Sequence, residues 1–214
     1  MAHGCVRVGG AATHGRPSSS AVQGHHELDA NAGRTPARTA HTERLRQLYR
    51  EDVIRDVEVR EAGDKGVGVY ALRSFDEGEF VFRRRHRRTV TAGELDGLCE
   101  WDRVHLCELG FDRFAILEPP GCYLNHSCEP NAMRHGVTVF AWKPIHARDE
   151  ITIDYRLNAF DGDSWPCHCG TSNCTGTVVG SFFAMDADRQ RLLLPHAPRF
   201  IRSEYRRRAR STLR

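Results

Sequence analysis

The chain has 214 residues, 40% of them hydrophobic and 28% charged, with a formal net charge of +3. That length supports one domain with a proper core plus tails, and no run of about 18 apolar residues is present to span a membrane. The small net charge is by itself no argument for nucleic acid binding, and residues 1–42 lack the apolar segment of a secretory signal.

Residues 1–42 are rich in Gly, Ala, Ser, Thr, His and Arg without apolar periodicity. This predicts a disordered N-terminal arm, because so few apolar groups bury too little surface to offset chain entropy. Arg7, Arg16 and several Ser with no acid before Glu27 leave an organelle transit peptide as an alternative. Leu45, Leu48 and Tyr49 are spaced for one face of a short helix over 43–50. From Val57 the pattern changes to short β runs: 57–60 and 67–72 alternate, and a turn over 76–78 returns into a strand over 79–82. Thr91 and Glu94 have capping-box spacing and predict a helix over 92–100. The runs 105–109 and 113–117 flank Gly110, Phe111 and Asp112 as a hairpin. Residues 137–142 and 150–155 read as strands, and 184–194 and 199–210 as helices. Many short strands, few helices and no strand–helix alternation exclude a doubly wound sheet and predict a mostly β fold with short helices.

Eight cysteines are present: Cys5, Cys99, Cys107, Cys122, Cys128, Cys167, Cys169 and Cys174. A chain of this size without a signal points to a reducing compartment and to thiols or metal ligation rather than disulfides. Cys167, Cys169 and Cys174 are crowded, and neighbours two apart rarely meet disulfide geometry. Structural zinc takes four tetrahedral ligands and prefers thiolate sulfur. Cys128 is the candidate for the fourth position; a redox pair or inert buried thiols is the alternative.

Cys128 falls in the stretch with the densest chemistry, 123–131, where Asn125 offers donors and acceptors and His126 can titrate or take either tautomer. Pro130 and Asn131 make it a rigid loop. Taken alone it could equally be a turn with a buried, hydrogen-bonded His. Gly66, Val67 and Gly68 satisfy the letters of a dinucleotide fingerprint, but β-branched and aromatic residues follow where a helix N-terminus should receive the pyrophosphate. The two glycines suit a close approach to the backbone, by a ligand or within a bulge. Asp154 and Tyr155 close the last strand, which alone is an ordinary strand ending in a packed Tyr.

In this order, the Gly66/Gly68 strand, the Asn125–Asn131 loop, the Asp154–Tyr155 strand end and the three crowded cysteines resemble the SET-domain protein lysine methyltransferases over about residues 55–180. The resemblance implies a β-clip-like fold of several small sheets, with a SET domain over 43–156, a zinc-stapled post-SET segment over 157–181 and a basic helical extension over 182–214. It implies S-adenosylmethionine bound near Gly66, Val67, Gly68, Asn125 and His126, with His168 near the adenine. Tyr155 matches the active-site tyrosine, and Cys128, Cys167, Cys169 and Cys174 match the structural Zn2+ ligands. The implied reaction transfers a methyl group to a lysine of a histone or other basic protein, in an intracellular setting that is cytoplasmic in a prokaryote and nuclear or cytoplasmic in a eukaryote. Tyr155 then orients the amine rather than removing its proton, because a phenol ordinarily ionises near pH 10.

The chain departs from the family pattern in three places, one of them a short insert over 91–117. Cys122 stands where Arg is common, and Ile153 where Phe or Tyr is common two residues before the tyrosine, which would leave room for higher methylation. The rival reading is a catalytically silent zinc-bearing module that binds a peptide or nucleic acid. The basic runs at 83–88 and 199–214 either contact nucleic acid or an acidic protein, or are solvated surface.

Overall fold

The computed structural model describes residues 55–160, 162 and 164–212, so the arm over 1–42 and the helix over 43–50 lie outside the described residues. The chain enters through a hairpin of β1 (Val57–Glu61) and β2 (Val67–Ala71), which pairs Val59 with Val69. Gly66 makes the turn into β2 with φ of 80°, a conformation that costs glycine little. β3 (Phe80–Arg83) follows the turn over 76–78, and β4 (His86–Val90) follows β3.

At Thr91 the capping pair forms, with the Glu94 carboxylate accepting the Thr91 backbone N–H at 2.8 Å and its hydroxyl at 2.9 Å. The expected helix over 92–100 does not follow. The segment is a 3-10 helix over Ala92–Gly97, and a short α-helix, α1 (Glu100–Val104), starts after a break at Leu98. Gly93 and Gly97 weaken α-helical propagation in so short a stretch.

Next come β5 (Leu106–Gly110) and β6 (Arg113–Leu117), the expected hairpin, and then β7 (Asn125–His126), β8 (Ala132–His135) and β9 (Thr138–Ala141). β10 (Glu150–Ile153) is shorter than the strand expected over 150–155, because Asp154 turns the chain into a 3-10 helix over Tyr155–Asn158. β11 (Ser164–Pro166) and β12 (Thr177–Val179) form a small ribbon. The helices α2 (Ala187–Leu193) and α3 (Arg199–Thr212) end the described chain. Asp186 caps α2 by accepting the Arg189 N–H at 2.8 Å.

The strands form four small sheets ordered β1-β2-β10-β7, β3-β9-β8, β4-β6-β5 and β11-β12. The first positions the site: β10 is antiparallel to β2 and parallel to β7, so segments far apart in sequence lie side by side. Two apolar clusters stand out among the described residues. Val90, Leu98, Leu106, Phe114 and Ile116 fill the insert over 90–117. Met133 and Leu157 pack with Phe182, Leu193 and Ile201 from the C-terminal segment. Truncating a fully buried side chain such as Ile201 to Ala costs about 2–5 kcal/mol. The C-terminal helices are therefore part of this core.

Candidate functional site

Parallel pairing of β7 with β10 sets Asn125 opposite Thr152 and His126 opposite Ile153. The Asn125 amide then reaches across β10 to β2, where Nδ2 donates to the Val67 carbonyl at 3.0 Å and to Glu150 Oε1 at 2.8 Å. The other Glu150 oxygen is paired with Lys65. Lys65, Gly68 and Asn125 thus meet around one carboxylate, and the same Asn125 amide holds the Val67 carbonyl. Gly68 is where the chains come closest, because a Cβ there would stand 2.8 Å from Glu150 Oε1 and 3.1 Å from Asn125 Nδ2. The close approach that the glycine allows is internal to the protein.

His126 is buried, and burial pushes its pKa down to about 4. Its Nδ1 accepts the Tyr155 backbone N–H at 3.2 Å, so the neutral ring carries its proton on Nε2, which points at Cys128 Sγ at 3.4 Å. The Tyr155 hydroxyl donates to the Leu124 carbonyl at 2.6 Å, and the Ser127 N–H reaches the Ile153 carbonyl at 3.0 Å. Asn131 holds the loop from its far end: Oδ1 accepts the Thr152 N–H at 2.9 Å, and Nδ2 donates to the Glu150 carbonyl at 2.8 Å. Asn125, His126 and Asn131 of the loop therefore each hold a backbone group.

Asp154 is the buried anchor beneath Tyr155. Its carboxylate accepts Arg156 Nε at 2.9 Å and Nη2 at 2.8 Å, together with Arg189 Nη2 of α2 at 3.1 Å. Burial opposes its charge, but Arg156, His126 and Arg189 outweigh burial and hold the carboxyl below its ordinary range. The turn that carries Tyr155 is in this way tied to a helix about thirty residues further on.

The four cysteines Cys128, Cys167, Cys169 and Cys174 come together, with all their sulfurs within 4.8 Å of one another. Cys128 and Cys167 are 3.9 Å apart, well beyond a disulfide bond. Burial raises the Cys167 thiol, whereas at Cys169 hydrogen bonds, the largest from Thr171, outweigh burial and bring it to about 6. Trp165 of β11 stands over the site, its ring centroid 6.1 Å from those of both His126 and Tyr155. His168 is exposed, between Cys167 and Cys169.

Tyr155, Leu124, Ile153, Leu117 and Asn158 line a mostly apolar cavity. The basic run at 83–88 does not behave as one surface: Arg84 is buried, and Arg87 pairs with Asp102. On α3, Glu204 takes Arg207 and Arg208, while Arg206 and Arg210 are exposed.

Sequence reasoning missed Glu150, Trp165 and Arg84, and named Asp154 only as the strand-end neighbour of Tyr155. An acid opening an otherwise apolar strand, as Glu150 does, was the available signal for the first. Nothing local marks the others, since their partners are distant in sequence.

Residues 66–156 match the family model described as SET domain. A histone-lysine N-methyltransferase, H3 lysine-36 specific, of Eremothecium gossypii is 27% identical over 150 residues, covering 63% of this chain and 22% of that protein. The protein of the same description from Chaetomium globosum is 36% identical over 152 residues, covering 63% of this chain and 17% of that one. The chain thus spans less than a quarter of the length of these relatives. A crystal structure of the methyltransferase domain of human histone-lysine N-methyltransferase SETMAR superposes with a TM-score of 0.46 and 23% identity over 58% of each chain. The order of the motifs and the family match agree: all the motifs before the three crowded cysteines fall within the residues 66–156 that match the SET domain model.

Proposed function

We propose that the chain is an S-adenosylmethionine-dependent methyltransferase acting on a lysine of a histone or another basic protein. The observation that carries this reading is the Tyr155 hydroxyl fixed on the Leu124 carbonyl at 2.6 Å in the wall of an apolar cavity. The names of the Eremothecium gossypii and Chaetomium globosum relatives support it.

The side chains present fit the cofactor. Tyr155, His126 and Trp165 gather three rings with centroids 5.4 to 6.1 Å apart, and aromatic faces attract a cation such as a sulfonium. Gly66, Val67, Gly68, Asn125 and His126 would hold it, with exposed His168 at its adenine end. When bound, it supplies a methyl group on a positively charged sulfur.

The protein's task is then to align a neutral amine. A lysine ordinarily keeps its proton to about pH 10.4. The apolar walls formed by Leu117, Leu124 and Ile153 disfavour the ammonium and lower that value. With its proton committed to Leu124, the Tyr155 oxygen turns its lone pairs to the cavity and can accept from the amine. The amine proton leaves to water. Ile153 at this wall gives the room that suits more than one methylation.

The thiol cluster fits a structural zinc. Zn–S bonds of about 2.3 Å place tetrahedral sulfurs about 3.8 Å apart, close to the 3.9 Å between Cys128 and Cys167. Such an ion would staple the β11–β12 ribbon, and with it Trp165, onto the loop after β7. An intracellular, reducing setting goes with this reading. Nucleic acid contact would fall to Arg206 and Arg210, and would show as binding that drops steeply with salt.

The test is incubation with labelled S-adenosylmethionine and a panel of basic proteins, with the modified residue mapped by mass. Label on a lysine is expected. Tight cofactor binding with no transfer to any panel member would favour a silent binding module.

A further inference from the structure

Cys107 of β5 is enclosed by nitrogen donors from three other segments. Arg134 of β8 brings Nη1 to 2.9 Å from the sulfur, and Arg84, between β3 and β4, brings Nη1 and Nη2 to 3.9 and 4.0 Å. Asn158, three residues after Tyr155, brings Nδ2 to 3.7 Å. Cys107, Arg84 and Arg134 are each less than a tenth exposed. Arg84 Nε has no hydrogen-bond partner among the described residues. The neighbouring carboxylate is Glu108, one oxygen of which accepts the Phe160 N–H at 2.9 Å. Two buried guanidiniums and an amide converging on one sulfur make a shell that solvates an anion.

Burial opposes ionisation of this thiol, but the charges of Arg134 and Arg84 outweigh it and hold the thiol below its ordinary value. Thiolates, not thiols, are the reactive form. Cys107, Arg84, Arg134, Asn158 and Tyr155 also line a single small cavity. Of the other described thiols outside the four-cysteine cluster, Cys99 is exposed, and Cys122 is buried and lines the same cavity.

We propose that Cys107 is an oxidative modification site, which a small neutral peroxide reaches through the Tyr155 cavity. The sulfur attacks one oxygen of hydrogen peroxide, an S–O bond forms and the O–O bond breaks. Sulfur gives up two electrons to the peroxide, and the departing hydroxide takes a proton to become water. The resulting sulfenic acid oxygen takes the hydrogen bonds of Arg134, Arg84 and Asn158. On the methyltransferase reading, which this last consequence alone rests on, that oxygen intrudes on the acceptor's cavity and slows transfer. A thiol reductant reverses it by forming a mixed disulfide with loss of water, which a second thiol then resolves.

The test exposes the zinc-loaded full chain to graded hydrogen peroxide and quenches with catalase. The protein is then unfolded in dimedone and digested with trypsin. Cys107 is the sole cysteine of the peptide 104–113, and Cys99 of the peptide 89–103. The adduct is expected on 104–113 at a peroxide dose at least about tenfold below that needed for 89–103, before any zinc is released. Oxidation of Cys99 or of the zinc cysteines first would overturn the proposal.

Two controls separate a reactive thiol from a merely buried one. Oxidation of Cys107, faced by Arg84, Arg134, Glu108, Asn158 and Tyr155, should depend less steeply on pH than that of a small free thiol oxidised alongside. A Cys107 profile that tracks the small thiol would also overturn it. Arg134→Gln should slow Cys107 oxidation about tenfold, whereas looser packing around an inert thiol would speed it. None of these measurements needs methyl donor or acceptor, so their failure is distinct from failure of the transferase assay.

Discussion

A Cβ on Gly68 would stand 2.8 Å from Glu150 Oε1, the oxygen that accepts the Asn125 amide. Gly68→Ala must therefore push Glu150 aside and unfasten Asn125. We expect a loss of about 1–3 kcal/mol of stability, together with at least about tenfold weaker cofactor binding. Denaturant titration and calorimetric binding check both. Unchanged affinity in a destabilised variant would confine Gly68 to packing.

Tyr155→Phe removes the hydroxyl and leaves the ring that faces His126 and Trp165. Turnover should fall about 100-fold, the scale for losing one oriented polar group at a reacting centre. Cofactor affinity should stay within about twofold, since the ring contacts survive. Steady-state rates and equilibrium binding on one preparation separate the two, and full turnover in the variant would remove Tyr155 from its orienting role.

Cys128 belongs to the thiol cluster and also meets the His126 Nε2 proton. Cys128→Ser should lower bound zinc and cofactor affinity together, and chelation of the wild-type protein should do the same. Metal analysis beside binding titration tests this. If the two quantities change independently, the loop does not couple metal to cofactor.

Glu204 accepts Arg207 Nε at 2.6 Å and Arg208 Nε at 2.8 Å, and these hydrogen bonds, Arg207 first, push its pKa down to about 2. A carboxyl that ionises near pH 4.3 when unfolded and near 2 when folded stabilises the fold fully above about pH 4.3, and that contribution fades as pH falls toward 2. The stability gap between wild type and Glu204→Gln should thus be constant near neutrality and close between about pH 4 and 2. Paired thermal melts across that range measure it; a gap that widens on acidification would reverse the assignment.

β1, β2 and β10 of the central sheet were legible because β-branched alternation is a local signal, whereas β7 reads in the sequence only as part of the rigid Asn125 loop. β4 was not legible, since only Val90 of its five residues is buried. It is an edge strand, where charged residues are the normal device against stray pairing. The same composition hid Arg84, which reads as one more surface arginine until β5 and β8 close around it. The capping pair at Thr91 was real, but a cap fixes where a helix begins, not how it continues through Gly93 and Gly97. Asp154 was visible only as the neighbour of Tyr155, because its partner Arg189 comes from another element altogether.

That ion pair has a practical corollary for anyone cutting the gene. The family-model match ends at residue 156, yet the turn holding Tyr155 is braced from α2, and Leu157 shares its apolar neighbours with Phe182, Leu193 and Ile201. A fragment trimmed to that boundary would keep Asn125, His126 and Tyr155 but lose Cys167, Cys169, Cys174 and the helix that braces Asp154. One that runs through Tyr205 keeps the described apolar cluster whole. Ancestry and self-sufficiency draw different borders on this chain, and it is the wider one that an expression vector should respect.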